Sequence, residues 1–227
     1  MASLRRLWTT ALLILFLPLT AAQAGHPQSI LVNLYDARLR LSPYPLARWD
    51  AALHDIARDR ARVQRCLGEV PCRDIVAKPL ADLVVQFSSL SGARLLSAVN
   101  RHYNAFPYVP DQVAGKPGDD WESPLTFLQR SGDCEDYAIA KYLTLALLGV
   151  PESEMAILIM REPVRGIDHA VLLVRDNGRL MVLDNLRGLA RLETYQEYRP
   201  RFVLTSTSSW RVKSAPQGSA LQPASFD

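Results

Sequence analysis

The sequence predicts an α+β domain in which an amino-terminal helical part precedes an antiparallel sheet. Apolar residues recur at helical spacing between Pro45 and about Cys66, which is typical of an amphipathic helix. A longer apolar run follows Cys134 and stops at Gly149-Val150-Pro151, where glycine and then proline end a helix. A short apolar run at 156–160 indicates a strand, and two further apolar runs are joined by Asn177-Gly178, the strongest short signal for a β-hairpin.

The amino terminus has the pattern of a cleaved signal peptide over residues 1–24. Arg5 and Arg6 precede an apolar core at 7–19, and Ala22-Gln23-Ala24 is a small-x-small cleavage site. The alternative, a membrane anchor, needs a longer apolar run. We therefore expect a mature chain that starts near Gly25, in the periplasm, with no direct membrane insertion.

The rest of the chain divides into three predicted segments. Residues 25–115 form the helical part, residues 116–212 form a core with the helix after Cys134 and the sheet, and residues 213–227 form a disordered tail. The formal net charge of +3 falls to +1 without the two arginines of the leader, since 24 basic residues then face 23 acidic ones. This balance gives no support for binding of nucleic acid or of a membrane surface.

The three cysteines are interpreted in the light of export. Cys66 and Cys72 lie six residues apart around Gly68 and Pro71, and an oxidising compartment favours a local disulfide between them. The alternative is a pair of reduced core thiols. With the pair bridged, Cys134 is the unpaired cysteine. An unpaired thiol in an exported protein is either a liability or a functional group.

Helices are expected up to the central cysteine. After the first, a second opens near Pro79, a third runs from Ser91 through Tyr103, and a short one contains Leu125 and Leu128. The segment 104–120 is rich in proline, glycine and aspartate and is predicted to be a loop. Trp121 follows this loop, where it either fills the core or forms a wall of the cleft beside Cys134.

Cys134 is predicted to lie in the first turn of a mostly buried helix. Asp133 is a suitable capping residue, and Asp136 three residues later completes the pattern of a capping box. Unpaired backbone N–H groups and the helix dipole at this position favour a thiolate over a thiol. The alternative is an inert core cysteine, although acidic neighbours on both sides are unusual for one.

The hairpin register brings a histidine and an aspartate together. If Asp176 and Arg179 flank a two-residue turn, Val171 lies opposite Asp184 and His169 lies two residues further on the same face. Taken singly, a histidine at a strand start and an aspartate at a strand end are unremarkable. Together with a thiol at a helix start, they form the set that thiol-dependent acyl chemistry needs: nucleophile, base and orienting carboxylate.

Four motifs resemble the LapG family of bacterial transglutaminase-like cysteine proteinases. They are Asp-Trp-x-x-Pro at 120–124, Gly-Asp-Cys-Glu-Asp-Tyr-Ala-Ile-Ala-Lys-Tyr at 132–142, His-Ala-Val-Leu-Leu-Val at 169–174 and Val-Leu-Asp-Asn-Leu at 182–186. The resemblance spans about residues 45–210. It implies a papain-like, transglutaminase-like core with Cys134, His169 and Asp184 as a catalytic triad.

The same resemblance implies a role at the cell surface. Members of the family are periplasmic proteases that clip the amino-terminal region of a large biofilm adhesin, usually near a pair of alanines, and release it. A membrane receptor for cyclic-di-GMP, LapD, sequesters the protease through its periplasmic domain. The resemblance further implies calcium as a cofactor, held here by Asp133, Glu135 and Asp136.

Calcium also has a physical argument in this sequence. Three carboxylates within four residues should raise the pKa of Cys134, and a hard cation with oxygen ligands would offset them. The alternative is that these acids merely cap the helix. Two further functions stay open: acyl transfer to an amine, as in a transglutaminase, and a calcium-dependent binding module in which Cys134 is silent.

Overall fold

A computed structural model describes residues 40–111, 113–115 and 120–213 of the 227-residue chain. The predicted signal peptide lies outside these residues, and so does the predicted tail except for Lys213, which ends a strand. Within the described ranges, no helix is long and apolar enough to cross a membrane.

Five α-helices form most of the amino-terminal part and the centre of the fold. They are α1 (Ala47–Gly68), α2 (Lys78–Phe87), α3 (Gly92–Asn104), α4 (Pro124–Arg130) and α5 (Cys134–Leu147). Each lies within a few residues of its predicted position. Pro79 is in the first turn of α2 and Pro124 is in the first turn of α4, where the missing N–H of proline costs no hydrogen bond.

Seven antiparallel strands form one sheet in the order β1-β7-β6-β2-β3-β4-β5. Their bounds are β1 (Arg40–Pro43), β2 (Met155–Glu162), β3 (Ile167–Asp176), β4 (Arg179–Leu183), β5 (Ala190–Arg191), β6 (Arg199–Leu204) and β7 (Ser209–Lys213). The sequence analysis found only β2, β3 and β4. In particular, the segment assigned to the helical part also supplies β1, which pairs with β7 at the far end of the chain.

One apolar core joins the helices to the sheet. Side chains alternate along the strands, so Ile157 and Leu172 face the helices while Leu158 and Val171 belong to a smaller cluster on the opposite face. The helix α5 lies in the middle of the larger core, and buried residues occupy nearly all of its length. This central position explains why the sequence after Cys134 is apolar on every side of the helix.

The predicted disulfide is present. Cys66 and Cys72 are bonded across the turn that follows α1, and their Cα atoms are 4.8 Å apart. The bridge ties the end of α1 to the segment leading into α2. Cys134 is the free cysteine.

Candidate active site

The first part of the site is built at the amino end of α5. Asp133 and Asp136 form the predicted capping box, in which Asp136 Oδ2 accepts the N–H of Asp133 at 3.0 Å. Asp136 is fully buried, and its Oδ1 accepts the N–H of Glu122 at 2.7 Å. A side chain at Gly132 would overlap the Asp136 carboxylate, so glycine is required there. This packing fixes Cys134 as the first residue of the helix.

The second part of the site lies on the β3–β4 hairpin. The register is the predicted one, with Asp176 opposite Arg179 and Leu172 opposite Leu183. It brings His169 Nε2 to 2.9 Å from Asp184 Oδ1, and both side chains are buried, at 4% and 0% exposure.

Two further hydrogen bonds hold the Asp184 carboxylate. The N–H of Leu186 donates to Oδ1 and the hydroxyl of Tyr195 donates to Oδ2, each at 2.8 Å. Burial pushes the pKa of Asp184 upward, but the bonds from His169, Leu186 and Tyr195 outweigh it and hold the pKa below its usual value. The carboxylate is thus ionised and fixed, and it can orient the imidazole.

The backbone of β3 joins the two parts. The N–H of Ala170, the residue after His169, hydrogen-bonds the sulfur of Cys134 and favours the thiolate. Cys134, His169 and Ala170 also line one cleft of about 430 Å³, together with Trp121 and Phe202. Trp121 fits both roles predicted from the sequence, because it borders the cleft and also packs against the large core.

The electrostatic surroundings of Cys134 disfavour the thiolate. Burial raises the pKa of the thiol well above its usual value, and the negative charges of Glu135 and Asp133 raise it further. The thiol also donates a hydrogen bond to Glu135 Oε2 at 3.1 Å, which favours its protonated form. The bond from Ala170 opposes these effects only in part. The upward shift is the one expected from the sequence.

Two of the three predicted calcium ligands, Asp133 and Glu135, have their donor atoms close together. Donor atoms of Asp133, Cys134 and Glu135 are all within 4.8 Å of one another, whereas the buried Asp136 carboxylate is directed at backbone N–H groups. Two carboxylates at one point suit a hard cation, and they leave most of a shell of six to eight oxygens to backbone and water. The donor set therefore fits calcium at Asp133 and Glu135, with Asp136 supporting the loop from behind.

The loop before Trp121 also reaches the cleft. Asp111 lines the cleft and is buried, and its Oδ2 accepts the N–H of Asp120 at 2.6 Å. No local sequence pattern identifies Asp111, because its place in the cleft depends on how a proline-rich loop folds back.

Comparison with known proteins shows the family to which this chain belongs. The model of the bacterial transglutaminase-like cysteine proteinases (BTLCP) matches residues 80–212, more than half of the chain. The chain belongs to this family. The matched range contains the helix α5, the β3–β4 hairpin and all three residues of the predicted triad. No curated protein matches the chain.

Solved structures of LapG from Legionella pneumophila share the fold. One is 24% identical, covers 69% of this chain and 87% of its own, and has a TM-score of 0.54. Its calcium-bound form, also 24% identical, covers 72% and 91% with a TM-score of 0.55, and an EGTA-treated form at 24% identity covers 70% and 86% with a TM-score of 0.55. The papain-like, transglutaminase-like α+β fold implied by the sequence motifs is thereby confirmed.

Proposed function

We propose that this protein is a calcium-dependent periplasmic cysteine protease that cleaves the amino-terminal region of a large cell-surface biofilm adhesin and so releases it. The observation that carries the proposal is the 2.9 Å bond between His169 and Asp184, at a cleft that both His169 and Cys134 line. A histidine oriented by a buried carboxylate next to a thiol at a helix start is the arrangement that cysteine proteases use.

Each group has a role in the proposed reaction. Asp184 holds His169 through Nε2, which leaves Nδ1 as the ring nitrogen for the thiol proton. The Cys134 thiolate attacks the peptide carbonyl carbon, and the imidazolium then gives its proton to the leaving amine as the C–N bond breaks. Water, deprotonated by the same imidazole, hydrolyses the thioester and restores the thiol. Backbone N–H groups at the start of α5 can donate to the carbonyl oxygen as it becomes negative.

Asp133 and Glu135 would hold the calcium ion. When bound, its positive charge offsets the two carboxylates that raise the pKa of Cys134. The calcium-bound state of LapG from Legionella pneumophila supports the choice of metal, since that protein has the same fold. Asp136 keeps the segment 132–136 in shape through its bonds to the backbone.

The periplasmic location has two supports. The first is the predicted signal peptide, and the second is the Cys66–Cys72 disulfide, which is typical of an oxidising compartment. The adhesin substrate and a LapD-like receptor for cyclic-di-GMP, acting as an inhibitor through its periplasmic domain, follow from the family resemblance.

The test is cleavage of adhesin amino-terminal fragments from the same genome by the purified mature protein in the presence of Ca²⁺. We expect the wild-type protein to cut these fragments, and Cys134→Ala and His169→Ala to fold but not to cut. His54→Ala is the matched control, because His54 is an exposed histidine on α1. Cleavage by Cys134→Ala at the wild-type rate would end the protease hypothesis. Incorporation of an added primary amine in place of hydrolysis would assign acyl transfer instead.

A further inference from the structure

Lys141 is a buried cation that the proposed reaction does not use. It lies in the middle of α5 and has no exposed surface. Burial of an ammonium group is costly unless hydrogen bonds replace its water, so the hydrogen bonds of Lys141 are the place to look for its role. Burial lowers its pKa to about 7, against the opposing influence of the negative charge of Asp184.

The lysine contacts two asparagines on the neighbouring helix α3. Its Nζ donates to Asn100 Oδ1 and to Asn104 Oδ1, both at 2.8 Å, and lies 5.6 Å from the centre of the Tyr137 ring. Even the neutral amine keeps the two hydrogens that these bonds need. Because Nζ donates to both amide oxygens, it fixes the direction of both amides and turns their NH₂ groups away from α5.

Those NH₂ groups bond the main chain that follows β4. Asn104 Nδ2 donates to the carbonyl oxygen of Asp184 at 2.8 Å and to that of Arg187 at 3.1 Å. Asn100 Nδ2 donates to the same Arg187 carbonyl at 3.1 Å. A continuous path of hydrogen bonds therefore runs from Lys141 to the backbone of the residue that orients His169.

Asp184 needs such support because the sheet does not hold it. The β3–β4 pairing ends at Leu183, and the residues from Asp184 to Leu189 form no regular structure. The side chain of Asp184 is held by His169, Leu186 and Tyr195, while its carbonyl is held by Asn104.

We propose that Lys141 is a positioning residue that, through Asn100 and Asn104, fixes the backbone from Asp184 to Arg187 and thereby the carboxylate that orients His169. This inference rests on the proposed protease function. It predicts that Lys141 acts on turnover through Asp184 and does not affect substrate binding.

The experiment compares Lys141→Met, which keeps the length of the side chain without its donors, with the matched control Thr144→Val. Thr144 is buried one turn further along α5, and its hydroxyl bonds Tyr103 at 2.5 Å and the carbonyl oxygen of Ala140 at 2.9 Å, so neither bond is made to residues 184–187. We expect kcat to fall on the order of 10-fold in Lys141→Met with KM unchanged, in the range of couplings between residues of one network. In an Asp184→Asn background the same substitution should have little further effect, whereas Thr144→Val should act independently of Asp184→Asn.

A second variant, Asn104→Asp, and a second measurement, hydrogen exchange, test the same inference independently. Asn104→Asp keeps an acceptor for Lys141 but replaces the donor to Asp184 by an oxygen, so it should reproduce the loss of kcat. Hydrogen exchange of residues 184–187 should become faster in both variants and stay unchanged in Thr144→Val, and this readout needs no enzymatic activity.

Wild-type kcat and wild-type exchange in both Lys141→Met and Asn104→Asp would overturn the inference, as would effects that simply multiply with those of Asp184→Asn. A wild-type protein without peptidase activity would overturn the proposed function instead, and the exchange comparison would still decide whether Lys141 fixes this segment.

Discussion

The two sides of the candidate site differ in how completely the fold prepares them. On the sheet side, His169 and Asp184 are buried, and the carboxylate accepts bonds from an imidazole, a backbone N–H and a tyrosine hydroxyl. On the helix side, the Cys134 thiol is only partly buried, and it donates to the carboxylate of Glu135. The pKa of Asp184 is lowered, which favours the ionised carboxylate that the proposed reaction needs. The pKa of Cys134 is raised, which disfavours the thiolate that the same reaction needs.

This difference shows where control of the site is concentrated. The hydrogen bonds of the sheet side come from the chain itself, so that side should be ready as soon as the protein folds. The helix side places the negative charges of Asp133 and Glu135 beside Cys134, and a bound cation would offset them. Changes to the sheet side should therefore damage both stability and activity, and changes to the helix side should mainly alter the reactivity of the thiol.

The largest effect is expected for Asp184→Ala. This change leaves the N–H of Leu186 and the hydroxyl of Tyr195 without their acceptor and frees His169, so unfolding by urea should show a loss of about 3–5 kcal/mol. Cleavage should fall by a factor on the order of 10²–10⁴, the usual contribution of acid–base catalysis. Asp184→Asn, which keeps the shape, should fold better and retain more activity. Equal activity in Asp184→Ala and wild type would show that the sheet side does not orient the base.

Removal of calcium comes next, because it should cost activity without a loss of stability, and it should act on the helix side alone. We expect EGTA to abolish cleavage with little change in the urea midpoint, and Ca²⁺ but not Mg²⁺ to restore it, because Ca²⁺ tolerates an irregular shell. Asp136→Ala should lower stability as well, since Asp136 bonds the N–H groups of Asp133 and Glu122. Full activity in EGTA, or unchanged activity and Ca²⁺ affinity in Asp136→Ala, would refute this assignment.

A smaller effect is expected from neutralising Glu135. Its charge and its hydrogen bond raise the pKa of Cys134, so Glu135→Gln should lower that pKa when no metal is bound. The measurement is the pH dependence of iodoacetamide labelling in EGTA, whose midpoint should move to lower pH than in wild type. Glu197→Gln is the control, because this exposed carboxylate does not line the cleft. A midpoint that does not move would show that burial alone sets the thiol pKa.

The smallest effect should come from the disulfide, which belongs to neither side of the site. Replacing Cys66 and Cys72 by alanine should cost about 2 kcal/mol of unfolding free energy, because the closed loop is short, and should leave cleavage unchanged. Protein from an oxidising compartment should show one free thiol after denaturation. Three free thiols would contradict the bridge.

The sequence predicted the capping box and the hairpin register better than it predicted the rest of the sheet. Local signals were enough for the capping box of α5 and for the hairpin turn at Asn177-Gly178, whose register alone placed His169 beside Asp184. Two of the missed strands gave no local signal: β5 has two residues, and β1 pairs with β7 about 170 positions later. Pairings of that kind leave no periodic trace in a single sequence.

The supporting groups behind the site escaped prediction for the same reason. Lys141 stands out as a cation in an apolar helix, but its partners Asn100 and Asn104 lie about 40 residues earlier. Tyr195 and Asp111 reach the site only through the path of irregular segments. The candidate catalytic residues could be proposed from residue type and spacing, whereas the residues that hold them in place depend on tertiary packing.

The pairing of β1 with β7 has a consequence for how the chain acquires its structure. Besides that ladder, Trp49 Nε1 donates to the carbonyl of Thr205 at 2.7 Å, and Leu46 N donates to Ser209 Oγ at 3.1 Å. Contacts over such sequence separations form late, because the loop between them must close before they give any stability. The hairpin that carries His169 and Asp184 is local and can form early. We therefore expect these two residues to come together well before β1 pairs with β7.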